Sequence, residues 1–376
     1  MPVPLIDLTR DRQLLAEVEA AVVRVVRSGQ YVLGPEVENF ERELAAYLGC
    51  RHAVALSSGT DALLAPLMAL GIGPGDEVLL PTYSFFATAG VVARVGAKPV
   101  FVDVEPTHWT IDPQQLEDWL ARCSRPKAVI GVHLFGTAFD VETVRAICDR
   151  FSVPLIEDAA QAIGTMHEGR MLGNRGLCGA WSTFPTKNLG GLGDGGFLTT
   201  DDDAFAAQCR LLRNHGQAEL YKHHVIGGNF RMDAIQAAAL RVKLRSIEDV
   251  TLIRRQNAEN YRRLFDEAGI GDWATLPTDT DRHAYHQFVV RVPKEHRDQV
   301  LVHLRQQGIG CGVYYPIPFH RQPCFAYLDA DAEDFPVAEE ASATALALPI
   351  FQGLTEAEQV DVVGALKRFP RHASAR

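Results

Sequence analysis

Apolar residues recur at helical spacing twice before any strand pattern begins. Leu14, Val18, Val22 and Val25 share one face over residues 12–28, closed by Ser28-Gly29, and Val37, Phe40, Leu44 and Leu48 do so over residues 36–48, ahead of Gly49. Pro2 to Leu8 precede them as an extended arm. The pattern then switches to short apolar runs separated by helical stretches. It predicts strands at 53–57, 77–80, 99–103, 127–132, 154–158 and 196–200, with helices from about 60, at 86–95, 141–151 and 203–213. Runs such as EVLLP, KPVFVDV and KAVIGVH are apolar without alternation, as expected of a mainly parallel sheet covered by helices on both faces. In open sheets of this kind ligands sit beyond the carboxyl ends of the strands. Pro66 falls inside the helix after Ser58, and a kink is expected there.

Beyond about residue 245 the texture changes. A charged helix from Thr251 to Ala268, a strand in HQFVVRV, a helix at 296–307, a short strand near Gly312 and a final helix at 355–367 read as a smaller α+β unit. The expected architecture is therefore α/β, with a large domain over 1–245 and a small C-terminal domain over 246–376.

With 47% apolar and 22% charged residues, a chain of 376 can bury a large core. The net charge of -10, without a Lys/Arg block, argues against nucleic acid or an anionic membrane as partner. Seven scattered cysteines contain no C-x-x-C pair, so neither a disulfide framework nor a metal site is expected. The start MPVPLIDLTRDRQ lacks a signal pattern, and no apolar run reaches the ~18 residues of a membrane span. A cytoplasmic location is expected.

Asp158 ends the apolar strand in PLIEDAAQ, where a carboxylate needs a positive partner to stay charged. Lys187 lies in the glycine-rich stretch STFPTKNLGGLGDGG. Separately, these read equally well as a structural ion pair and a solvated loop lysine. Together they suggest a lysine that forms a Schiff base with an aldehyde cofactor, and an aspartate that keeps the cofactor's ring nitrogen protonated so that the ring accepts electrons. Gln161 could donate to the ring oxygen. The turn SSGTDAL offers Ser57, Ser58, Gly59, Thr60 and the first amides of a helix to a phosphate, although a well-capped helix start has the same composition. Ser182 could add a hydroxyl, and PTYSFF supplies Tyr83, Phe85 and Phe86 as possible covers for a ring. The glycines at 190–196 precede a strand rather than joining strand to helix, which excludes a dinucleotide loop, and no P-loop signature occurs.

With GPEVENFERELAAYLG, GAKPVFVDVEP, NFRMDAIQAAAL and YYPIPFHRQP also in order, the chain resembles the DegT/StrS-type nucleotide-sugar aminotransferases, pyridoxal-phosphate enzymes of fold type I. The resemblance spans nearly the whole chain. It implies Lys187 as the cofactor-bearing lysine and proton shuttle, Asp158 on the ring nitrogen and Gln161 near the ring hydroxyl. It places Ser182, Gly59 and Thr60 on the phosphate and Phe85 on the ring. It also implies a homodimer with shared sites, in which Asn229 reaches the other subunit's cofactor phosphate. Tyr314, His320 and Arg231 lie in segments that approach the sugar or nucleotide in relatives, and packing explains each equally. The segments around HGQAELYKHHVIGGN and YYPIPFH look most like relatives acting on 3-keto sugars, with His223 or His224 possible contacts to a sugar acid or diphosphate. Phe135 and Thr137 depart from the Tyr and Gln found in many relatives.

The implied reaction moves an amino group from L-glutamate to a nucleotide-linked keto sugar, dTDP- or UDP-linked. Its rivals are a 4-keto-sugar or keto-cyclitol aminotransferase, a sugar dehydratase of the same fold, and a non-catalytic regulator. Members that dehydrate carry histidine at the lysine position, so Lys187 favours transamination.

Overall fold

The computed structural model describes residues 2–280 and 282–370. The outer ends of the two expected domains, Met1 and 371–376, lie outside the described residues. Helix α1 (Arg12–Ser28) starts on the Asp11 side chain and stops at Gly29, whose φ of 69° is left-handed. Helix α2 (Pro35–Leu48) follows and stops in the same way at Gly49.

Then come β1 (His52–Leu56), α3 (Gly59–Ala69), β2 (Glu77–Pro81), α4 (Ala87–Arg94), β3 (Lys98–Val102) and α5 (Pro113–Arg122). Next are β4 (Pro126–Val132), α6 (Val141–Arg150), β5 (Leu155–Asp158) and a hairpin of β6 (Met166–His167) and β7 (Arg170–Met171). After β8 (Cys178–Ser182), β9 (Gly196–Thr200) and α7 (Asp203–Arg213), a second hairpin pairs β10 (Gln217–Glu219) with β11 (Lys222–His223). Helix α3 runs through Pro66, in its last turn, to Ala69.

Seven strands form the sheet, in the order β1-β9-β8-β5-β4-β2-β3. Pairs β2/β3, β2/β4, β4/β5 and β5/β8 are parallel, and β9 is antiparallel to both its neighbours, so the expected mainly parallel sheet carries one reversed strand. Its two faces bury separate cores, as unbroken apolar strands require. Val54, Leu56, Leu80 and Ile156 pack towards α3, α4 and α7, while Ala55, Leu79, Val129 and Phe197 pack towards α2, α5 and α6.

The C-terminal part contains α8 (Ala234–Leu244), α9 (Ile247–Ala268), β12 (Phe288–Arg291), α10 (Arg297–Gln306), α11 (Pro336–Thr344), β13 (Ala345–Leu348) and α12 (Glu356–Lys367). Helix α8 packs between α1 and the sheet. Its Ala234 and Ala238 meet Val18 and Val25, while Ala237 and Leu240 join the α2 side of the sheet core. A further core joins Tyr261, Phe265, Val290, Leu304, Leu346 and Val362, and the N-terminal Val3 belongs to it. The strand expected near Gly312 is a single bridge to Ala347.

Candidate active site

The parallel topology brings Asp158, at the carboxyl end of central β5, beside the loop that follows β8. Asp158 is 5% exposed. Its Oδ2 accepts from Thr88 Oγ1 of α4 at 2.8 Å, and its Oδ1 accepts from the Ala160 amide at 3.2 Å. Burial pushes its pKa above the usual carboxylate range, opposed by those donors and by the Lys187 charge. The Lys187 amine is driven the other way. Burial lowers its pKa from 10.5 to about 8, with the Asp158 carboxylate partly holding it up. An amine in that range is available as a neutral base or nucleophile near physiological pH.

The lysine loop is tightly tied. The Lys187 amide donates to the Phe184 carbonyl at 2.8 Å, and Asn188 Nδ2 donates to the Ala284 carbonyl at 2.9 Å. The second tie brings residues 284–286 against the site, where His286 Nε2 stands 3.5 Å from Lys187 Nζ. The sequence alone marks His286 only as an imidazole at the start of the apolar run HQFVVRV, ahead of β12.

Gly59 opens α3 opposite Ser182, the last residue of β8. A Cβ on Gly59 would lie 2.6 Å from the Ser182 Cβ, so only glycine lets the first amides of α3 and the Ser182 hydroxyl face one space. Thr60 follows in the first turn. The hydroxyls of Ser57 and Ser58 are directed elsewhere, donating to Asp61 Oδ2 at 2.6 and 2.9 Å. Helix N-terminal amides and a hydroxyl form a cradle suited to a phosphate.

Gln161 is held by two bonds: its Oε1 accepts from the Phe135 amide at 2.6 Å and its Nε2 donates to the Tyr315 hydroxyl at 2.9 Å. The Tyr315 ring stacks at 6.5 Å on Phe135 and meets the Phe85 ring at 6.2 Å. Tyr315 is thus a second residue that sequence reading missed beside its neighbour Tyr314. The Tyr314 carbonyl accepts from the Tyr83 hydroxyl at 2.5 Å. Phe85 is 57% exposed, which leaves its ring available to a ligand beside Tyr315.

The other expected site residues make contacts of their own. The His320 side chain is fully enclosed, with Nδ1 2.8 Å from Thr82 Oγ1 and Nε2 2.7 Å from Glu339 Oε1. Both ring nitrogens are engaged by residues of the fold. Arg231 donates to Asn214 Oδ1 at 2.7 Å. Asn229, on the same segment, is exposed. His223 and His224 are exposed on and beside the β10–β11 hairpin.

These residues fit pyridoxal phosphate: an amine of depressed pKa for the aldehyde, a buried carboxylate for the ring nitrogen and a cradle that one Cβ would fill for the phosphate. Fold and site together define a pyridoxal-phosphate enzyme of fold type I. The family model of the DegT/DnrJ/EryC1/StrS aminotransferase family matches residues 13–367, and the chain belongs to that family, the sugar aminotransferases that its motifs resemble.

Among its relatives, a protein of Geobacillus stearothermophilus named pleiotropic regulatory protein is 44% identical, over 99% of this chain and 100% of its own. The dTDP-3-amino-3,4,6-trideoxy-alpha-D-glucose transaminase of Streptomyces venezuelae is 40% identical, over 98% of this chain and 96% of its own. A crystal structure of S. venezuelae DesV in complex with a ketimine intermediate superposes with a TM-score of 0.92 at 39% identity, covering 97% of this chain and 98% of that one.

Proposed function

We propose that this aminotransferase transfers the amino group of L-glutamate to a 3-keto sugar carried on a nucleoside diphosphate. The observation that carries the reading is the placing of Lys187 in the field of the buried Asp158 carboxylate, where burial lowers its amine to about 8. When bound, pyridoxal phosphate supplies a carbonyl carbon that exchanges nitrogen partners and a ring that takes up an electron pair. Asp158, fixed by Thr88, holds the proton on the ring nitrogen. Lys187 Nζ removes the proton from the α-carbon of glutamate in the first half-reaction and delivers one to the former ketone carbon of the sugar in the second. Gly59, Thr60 and Ser182 bind the phosphate, Gln161 orients towards the ring hydroxyl and Phe85 covers the ring. The 3-keto position is supported by the Streptomyces relative, a transaminase named for a 3-amino sugar.

Asn229, exposed in a single chain, fits a homodimer in which it completes the partner's phosphate site. The chain divides in our reading into a large domain over 1–245 and a small one over 246–376. A regulatory role without catalysis is supported by the names of two relatives alone, a pleiotropic regulatory protein and a sensory transduction protein, and the lysine and aspartate set is that of an enzyme.

The test is a two-stage incubation. Glutamate alone should yield 2-oxoglutarate stoichiometric with enzyme, and a panel of 3-keto and 4-keto nucleotide sugars and keto-cyclitols should then yield the amino product only from the 3-keto members. Turnover confined to another panel member would overturn the substrate assignment, and release of a dehydrated sugar would overturn the reaction type.

A further inference from the structure

His286 is held beside Lys187 by constraints that the reaction as read above does not use. His286 is 9% exposed, its Nδ1 is buried without a hydrogen-bond partner, and its Nε2 faces Lys187 Nζ at 3.5 Å. Its backbone is unusually constrained. Arg254 of α9, 3% exposed, donates from one nitrogen to the carbonyls of Tyr285, His286 and Ile350 at 2.8, 3.2 and 3.1 Å. On the other side Gly136, at φ 98°, lets the amides of Tyr285 and His286 approach to 3.1 Å of where a Cβ would stand. The neighbouring loop is tied in turn by Asn188, next to Lys187, which donates to the Ala284 carbonyl. A buried imidazole carried on so fixed a backbone is a fixed object for the lysine to meet.

We propose that His286 is a positioning residue for Lys187, a neutral imidazole that receives the amine and holds it beside the reacting carbon while the lysine is free of the cofactor. The inference rests on the transaminase reading. In every turnover the lysine is released, and a four-carbon side chain with several rotatable bonds would scatter its amine unless something directs it. Asp158 could attract the amine but is committed to the ring nitrogen. His286 Nε2 faces the amine directly, at 3.5 Å. Its neutrality follows from burial, with the Lys187 and Arg254 charges adding to it; together they hold the imidazole well below its ordinary pKa. A neutral ring can accept from the amine at Nε2 without competing for the proton that Lys187 must move. A separation at the outer limit of hydrogen bonding suits a contact that is made and released each cycle, and such contacts tighten in reacting complexes.

The test compares His286→Phe and His286→Gln with the wild-type holoenzyme in the glutamate half-reaction, followed by the change in cofactor absorbance. For His286→Phe the rate should fall about ten- to a hundredfold, the effect of a misplaced catalytic group. KM for glutamate should stay unchanged, and the isotope effect with α-deuterated glutamate should rise because proton transfer becomes limiting. His286→Gln, which keeps an acceptor, should recover most of the rate and a normal isotope effect. Equal impairment of both variants, or wild-type behaviour of His286→Phe, would overturn the assignment. Should His286→Phe fail to fold, a crystal structure of the wild-type pyridoxamine form decides: Nζ within hydrogen-bonding distance of Nε2 supports the proposal, and Nζ directed elsewhere overturns it. Failure of the wild type itself to react with glutamate would instead strike at the reading beneath.

Discussion

His320 and Thr82 hold each other, Nδ1 to Oγ1 at 2.8 Å, while the opposite edge of the same imidazole meets Glu339. The ring thereby joins the end of β2 to α11 and has no free edge for a ligand. Replacing it by phenylalanine keeps the ring and removes both bonds, leaving Thr82 with a lost partner at a buried position. The expected cost is about 1–3 kcal/mol of stability, by denaturant unfolding, with KM for the sugar nucleotide unchanged. A normal stability with a raised KM would return His320 to the substrate site.

Lys187 provides a pH signature. Its amine sits at about 8, lowered by burial and partly held up by Asp158. Only the neutral amine attacks an aldehyde, so cofactor uptake by the cofactor-free protein should quicken as pH rises through about 8 and level off above it. Asp158→Asn removes the negative charge that favours the ammonium form, and the midpoint should move down. Stopped-flow absorbance at a series of pH values reads both; a midpoint that stays or rises in Asp158→Asn contradicts the coupling.

Gly59→Ala sets two effects against each other. Alanine favours a helix over glycine by about 1 kcal/mol, but its Cβ would stand 2.6 Å from the Ser182 Cβ, and forcing two fixed groups apart typically costs 1–3 kcal/mol. The steric term wins, and it falls on the phosphate cradle. Cofactor affinity should weaken about tenfold, measured by titration of the cofactor-free protein, with the overall fold retained. Wild-type affinity would show that the cradle is not where the phosphate binds.

Subunit sharing can be tested by mixing. Asn229→Ala and Lys187→Ala proteins, each impaired alone, should regain part of the activity when their subunits exchange, because one site of the mixed dimer then carries neither lesion. Mixtures that never exceed the sum of their parts contradict a shared site.

Much of this was legible in the sequence because it depends on local pattern. Unbroken apolar strands gave the buried sheet, and Asp158 and Lys187 lie at strand ends and loops that the pattern locates. The elements passed over have physical reasons. Helix α8, AIQAAALRVKL, is buried between α1 and the sheet and has no polar stripe to mark a helical period. Helix α5 did carry its start signal, Asp112 accepting from the Gln114 and Gln115 amides ahead of Pro113, and that signal was overlooked. Strand β13, ALAL, is too short to separate from the preceding helix by periodicity. His286 and Tyr315 reach the site from positions 99 and 128 residues beyond Lys187, a closeness that only the folded chain creates.

The lysine can be read directly. Borohydride reduction of the resting holoenzyme, followed by peptide mass mapping, should place one phosphopyridoxyl group on Lys187 and bleach the visible absorbance. A group found on another lysine, or a protein that takes up pyridoxal phosphate without any adduct at 187, would contradict the account.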